Sequence, residues 1–111
     1  MQHIIRNFTT CDVNTVQEIA ASNTSVLIDF YADWCEPCKW LNPVLEELKQ
    51  QLPDLNIHKI NIDRFAEEAA TFEIMSVPVL ILFVNGKQVW RMNGFKYAKE
   101  LAKELKEFIK A

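Results

Sequence analysis

Cys35 and Cys38 are separated by two residues in Trp34-Cys35-Glu36-Pro37-Cys38-Lys39, a spacing that lets one small disulfide open and close. The chemistry this allows is thiol–disulfide exchange. A thiolate rather than a thiol attacks a disulfide, so a redox cysteine needs its pKa drawn below the ordinary value of about 8.5. A helix N-terminus does this, because its unpaired N–H groups and macrodipole favour an anion by about 0.3–1 kcal/mol. With Cys35 at such a terminus and Cys38 one turn further in and more buried, Cys35 is expected to attack a substrate disulfide. Cys38 then resolves the mixed disulfide. Pro37 suits the first turn, where its missing donor is not needed. The competing use of the pair is as half of a zinc site. Zinc needs four ligands, and Cys11, His3 and His58 have no paired ligand spacing, so no metal and no cofactor are expected.

The composition narrows the setting. A chain of 111 residues, 50% of them apolar, has room for one domain with a real core, and residues 1–111 are read as that domain. Three cysteines are too few for a secreted disulfide framework, and Met1 to Asn7 contains no apolar run of signal-peptide length. A reducing cytoplasm is the expected location. The longest apolar stretch, Val77 to Val84, is far short of a membrane span. A net charge of −3 and a pI near 5.3, with no basic cluster, offer no footprint for nucleic acid.

The elements that must position the pair alternate, which predicts the α/β class. Ser25 to Tyr31 is nearly continuous in apolar and β-branched residues, as in a strand covered on both faces. Leu55 to Ile62 alternates, with Leu55, Ile57, Lys59 and Asn61 on one face and His58, Ile60 and Ile62 on the other. Val79 to Val84, Asn85-Gly86 and Lys87 to Met92 predict an antiparallel hairpin, since Asn-Gly suits the two positive φ angles of a type I′ turn. His3 to Arg6 is a short strand candidate. After Pro37, Leu41, Val44, Leu45, Leu48 and Leu52 recur at helical spacing until Pro53, with a kink expected at Pro43. Tyr97, Leu101, Leu105, Phe108 and Ile109 form the apolar stripe of a C-terminal helix whose other face is charged. Asp12 to Ala21, capped by Asp12 or Thr10, and Arg64 to Phe72 complete the helices.

Along nearly its whole length the chain resembles thioredoxin. The match runs through Asp29-Phe-Tyr-Ala-Asp-Trp-Cys-Glu-Pro-Cys-Lys39, Pro43, Lys59-Ile-Asn-Ile-Asp63, Ser76-Val77-Pro78, Asn85-Gly86 and Gly94. Each piece is weak alone; in this order and spacing they are specific. The resemblance implies a thioredoxin fold, α/β with a central mixed five-stranded sheet flanked by four helices, and a cis peptide before Pro78. It implies general protein-disulfide reduction as an electron carrier in cell redox homeostasis, with disulfide-containing proteins as substrates and a thioredoxin reductase as electron donor. A monomer is expected.

The resemblance assigns roles that the residues also support physically. Asp29 interrupts an apolar strand, where desolvation should raise its pKa, and in the family an acid at this place takes the proton of the resolving cysteine. It would serve Cys38, through water, with Lys59 keeping it partly ionised. Pro78 at the head of a buried strand cannot donate to a ladder, and a cis Val77-Pro78 bond would present Val77 backbone groups to an extended substrate. Trp34, Val77, Pro78, Gly94 and Phe95 would form the apolar rim that receives partners. Trp40 is ambiguous, Trp90 is read as structural, and Tyr31 stands where the family often has tryptophan.

Glu36 departs from the glycine usual in thioredoxins. A charge about 7 Å from the Cys35 thiolate, at an effective dielectric of about 40, opposes it by about 1.2 kcal/mol at the upper end. Cys35 should therefore titrate higher than beside glycine, making the pair a stronger reductant and a slower attacker at neutral pH. Cys11 is read as a small buried hydrophobe. Two other readings compete with the general reductase: a specialised relative with its own electron donor or partner, and a binding module whose redox pair is incidental.

Overall fold

The computed structural model describes residues 9–10 and 16–109, with only the backbone of Thr9 and Thr10 considered. The strands are β1 (Thr9–Thr10), β2 (Ser25–Tyr31), β3 (Asn56–Asn61), β4 (Val79–Val84) and β5 (Lys87–Asn93). The helices are α1 (Val16–Ala21), α2 (Glu36–Gln51), α3 (Ala66–Thr71) and α4 (Ala98–Leu105). The sheet has five strands in the order β1-β3-β2-β4-β5, so β2 lies at its centre as its unbroken apolar run predicts. β3 pairs parallel with β1 and β2, while β4 pairs antiparallel with β2 and β5. The mixed α/β architecture implied by the resemblance is therefore present. The strand candidate at His3 to Arg6, Cys11 and the Asp12 cap lie outside the described residues. At the first described turn of α1, the Val16 amide donates to Glu68 Oε1 at 3.0 Å, so α3 supplies an acceptor there.

Strand alternation sorts the core into two layers. Val26, Ile28 and Phe30 of β2, Ile60 of β3 and Val79, Ile81 and Phe83 of β4 pack with α1 and with Phe65, Phe72 and Ile74 flanking α3. The opposite face carries Leu27, Ile57, Leu80 and Leu82, covered by Leu41, Leu45 and Leu48 of α2 and Leu101 and Leu105 of α4. Leu27 lies opposite Ile57, Asp29 opposite Lys59, and Tyr31 opposite Asn61. The two charged residues thus share the face beneath α2.

Local signals account for much of this. Asn85 and Gly86 have φ of +52° and +82°, the left-handed pair a type I′ turn requires. Beyond the turn, Gln88 lies opposite Phe83 but Trp90 lies opposite Leu82, so Val89 is an extra residue and β5 carries a bulge that simple alternation did not foretell. α2 continues through Pro43, whose missing N–H leaves the Lys39 carbonyl without its helical donor. The C-terminal stripe is narrower than predicted. Leu101 and Leu105 are fully buried, but Tyr97 precedes the helix and is 72% exposed. It packs edge-on to Phe95, with ring centroids 5.0 Å apart.

Candidate active site

β2 ends at Tyr31, and the chain passes through Ala32, Asp33 and Trp34 before α2 begins. Cys35 is the N-cap of that helix, its backbone still extended, with Glu36 and Pro37 opening the first turn. The expected helix-terminal placement is therefore met. Cys35 and Cys38 form a disulfide with Cα atoms 5.3 Å apart. Cys35 Sγ accepts the Cys38 N–H at 3.2 Å, so an anion on that sulfur faces one of the unpaired amides of the helix end. The two cysteines are 4% and 2% exposed, so burial hardly separates them, contrary to expectation. Position in the helix does. Cys35 Sγ also lies 3.7 Å from the Val77 carbonyl oxygen.

Val77 lies on the bend before β4, which begins two residues later at Val79. The Val77–Pro78 peptide is cis, as the resemblance implies. Val77 is half-buried against the cluster of Ala32, Cys35 and Cys38, which Tyr31 and Ile62 also flank, and among the described residues its N–H has no backbone acceptor. Gly94 closes the far side: its N–H donates to the Pro78 carbonyl at 2.9 Å, and its φ of +99° disfavours any side chain although space is open.

The rim foreseen around the disulfide is only partly assembled as expected. Trp34 is 67% exposed, and its indole Nε1–H donates to Asp63 Oδ2 at 2.9 Å, which fixes the ring beside Cys35. Pro78 is buried, and Phe95 packs against the α2–α4 core; sheet pairing at the head of β4 draws the first inward, and the apolar layer draws the second. Met75, not singled out in the sequence, is 90% exposed on the same loop as Val77. Trp40 faces solvent, while Trp90 is half-buried with its Nε1–H donating to Glu104 Oε1.

Asp29 is fully buried on β2, between Leu27 under α2 and Tyr31 beside Cys38. Neither carboxylate oxygen accepts a hydrogen bond from a described residue. Burial pushes its pKa up to about 7, partly offset by the Lys59 ammonium. Lys59, also buried, donates to Asn42 Oδ1 at 2.5 Å and lies 4.5 Å from the Tyr31 ring centroid. Its own pKa is lowered by burial, with Asp29 and Asp33 opposing. A cavity of about 200 Å³ opens here, bounded by Cys38, Asn42 and Lys59 among others.

Glu36 is exposed and its Oε2 lies 3.3 Å from Lys39 Nζ. Helical spacing made this i, i+3 pair legible, but it was not foreseen; Asn42, four residues after Cys38, was missed because its partner comes from another element. Of the residues weighed as zinc ligands, His58 is half-buried on β3, whereas His3 and Cys11 lie outside the described residues.

Residues 7–107 match the family model described as thioredoxin. A thioredoxin of Chlamydia pneumoniae is 51% identical over 71 residues, covering 64% of this chain and 70% of its own length. A thioredoxin of Mycobacterium bovis is 39% identical over 99 residues, 88% of this chain and 85% of its own. Among solved structures, a mutant thioredoxin from Halobacterium salinarum superimposes with a TM-score of 0.83 at 32% identity, covering 94% of this chain and 91% of the other.

Proposed function

The chain belongs to the thioredoxin family, and on that premise we propose how its own residues carry the family's reaction. The activity is protein-disulfide reduction by dithiol–disulfide exchange. In the reduced protein the Cys35 thiolate, supported by the Cys38 N–H, attacks one sulfur of a substrate disulfide. A mixed disulfide forms and the first substrate thiolate departs. Cys38 then gives its proton towards Asp29 and attacks Cys35 Sγ. The internal disulfide closes and the second substrate thiolate leaves, so two electrons have passed to the substrate.

Asp29 suits the proton step because a carboxyl titrating near neutrality both accepts and releases a proton under working conditions. An extended substrate segment docks beside Cys35 on the Val77 backbone groups, with Trp34 and Gly94 framing it. A thioredoxin reductase returns the pair to its dithiol state, and a reducing compartment such as the cytoplasm provides the poise for repeated turnover. The observation that carries this reading is the Cys35–Cys38 disulfide at the mouth of α2, with one sulfur facing the Val77 carbonyl.

The test is NADPH-coupled reduction of insulin disulfides with a thioredoxin reductase present, with Cys35→Ser as control. Turnover that is abolished in Cys35→Ser is the expected result. Absence of turnover, with insulin still reduced when dithiothreitol recharges the protein, would replace the general carrier by a specialised one with another electron donor.

A further inference from the structure

Asn61 is the last residue of β3 and is 5% exposed, a polar side chain kept inside where the chain turns away from the sheet. Its Oδ1 accepts the Asp63 N–H at 2.8 Å and the Arg64 N–H at 3.3 Å. A side-chain oxygen that takes the amide two residues on fixes the backbone turn between them. Asp63, exposed on that turn, accepts the Trp34 indole N–H through Oδ2 at 2.9 Å. Trp34 directly precedes Cys35 and is 67% exposed, so packing alone does not hold its ring. We propose that Asn61 is a positioning residue for substrate docking: it sets the turn that places the Asp63 carboxylate, and that carboxylate fixes Trp34 as a wall of the docking surface beside Cys35. This rests on the reading of Trp34 as part of the surface that receives protein substrates.

The sheet brings the two segments together. Tyr31 lies opposite Asn61 in the β2–β3 ladder, and the Ile62 N–H donates to the Tyr31 carbonyl at 2.9 Å. The turn after β3 and the segment after β2 therefore leave the sheet side by side, one carrying Asp63 and the other Trp34. An aspartate side chain is short, so the path of its backbone decides where its carboxylate stands. The Asn61 oxygen fixes that path from inside the protein, where water does not compete for the two amides. An indole held in this way is ordered before the substrate arrives, whereas a free one has to be ordered by the substrate itself, which weakens docking. None of the bonds in the relay involves Cys35 or Cys38. Docking of a protein substrate, and not the reactivity of the sulfur, is the quantity that Asn61 governs.

Two readouts test this in the reduced full-length protein. Nitrogen–proton NMR follows the Trp34 indole N–H and its exchange with water, the signal being assigned with Trp34→Phe. Single-turnover kinetics give the half-saturating concentration of insulin and, separately, the rate with hydroxyethyl disulfide, a small neutral substrate. Asn61→Ala should shift the Trp34 signal, speed its exchange and raise the half-saturating insulin concentration about threefold, with the rate towards the small disulfide unchanged. Asn61→Ser, whose hydroxyl makes the same turn more weakly, should fall between Asn61→Ala and the parent. Asp63→Ala, a surface change that leaves Asn61 in place, should free the indole as fully as Asn61→Ala does. A Trp34 N–H that keeps its parent shift and exchange rate in Asn61→Ala and Asn61→Ser would overturn the relay, and so would a freed indole with insulin saturation unaltered. Equal losses on insulin and the small disulfide would place the effect at Cys35 and overturn it as well. Failure of the parent protein itself to reduce insulin is a separate outcome, which would remove the functional reading and this inference with it.

Discussion

Glu36 and Lys39 decide the local field at the attacking sulfur. Glu36 stands next to Cys35 and carries the charge that opposes a thiolate there, yet its Oε2 is 3.3 Å from the Lys39 ammonium, and both side chains are more than half exposed. An exposed pair of this kind is worth little to stability, but it leaves Cys35 facing a dipole instead of a bare carboxylate. Glu36→Gly should therefore lower the Cys35 pKa by less than about one unit, and Lys39→Ala, which unmasks Glu36, should raise it. Thiolate absorbance titrations of the two variants provide the check; no change or a rise in Glu36→Gly would refute the expectation. The unpaired glutamate considered from sequence alone was an upper limit because side-chain pairing is settled only once the helix forms.

At the scale of elements, the loop from α3 to β4 is tied to the sheet edge. Arg91 of β5 donates from Nη1 to the Phe72 carbonyl at 2.6 Å and from Nη2 to the Glu73 carbonyl at 3.0 Å. Glu73 has a φ of +54°, a left-handed conformation that costs a branched or bulky residue and is unusual for glutamate. Two charge-assisted bonds on adjacent carbonyls hold the chain there, ahead of Val77, which packs against the disulfide. Arg91→Ala should raise KM for a protein disulfide roughly fivefold, the effect of losing about 1 kcal/mol of loop order, with the rate towards a small soluble disulfide unchanged. Arg91→Lys should recover only part, since an ammonium lacks the planar fork. Equal losses on both substrates would exclude this. The β4–β5 hairpin was legible because Asn85-Gly86 is a local turn signal, whereas Arg91 reads as one exposed residue in a strand until α3 ends beside it.

At the scale of the whole molecule, burying Asp29 between the sheet and α2 costs stability in a pH-dependent way. The carboxyl ionises near 3.8 in the unfolded chain and near 7 in the folded one, so between these values the folded protein binds more protons. Stability should fall as pH rises through that window and level off above it, by about 4 kcal/mol at full ionisation. Asp29→Asn should abolish the slope, stabilising the protein at pH 8 but hardly at pH 4, as urea unfolding of the oxidised protein at the two pH values will show. A variant equally stabilised at both would indicate a packing effect instead.

The sequence by itself determined the cysteine pair and its place at a helix start, the central buried strand, the hairpin turn and the likeness to thioredoxin. These depend on interactions within a few residues or on a long ordered series of motifs, and both survive in one dimension. It also placed Asp29 and Lys59 on alternating strands that could face each other. Only the tertiary structure decided that Lys59 reaches Asn42 and Tyr31, that Trp34 is fixed by Asp63, that Pro78 is buried where a rim was expected, and that Val77 faces Cys35. Each of those contacts joins residues from different elements, and its geometry exists only once the sheet has set their register and the helices have closed over it.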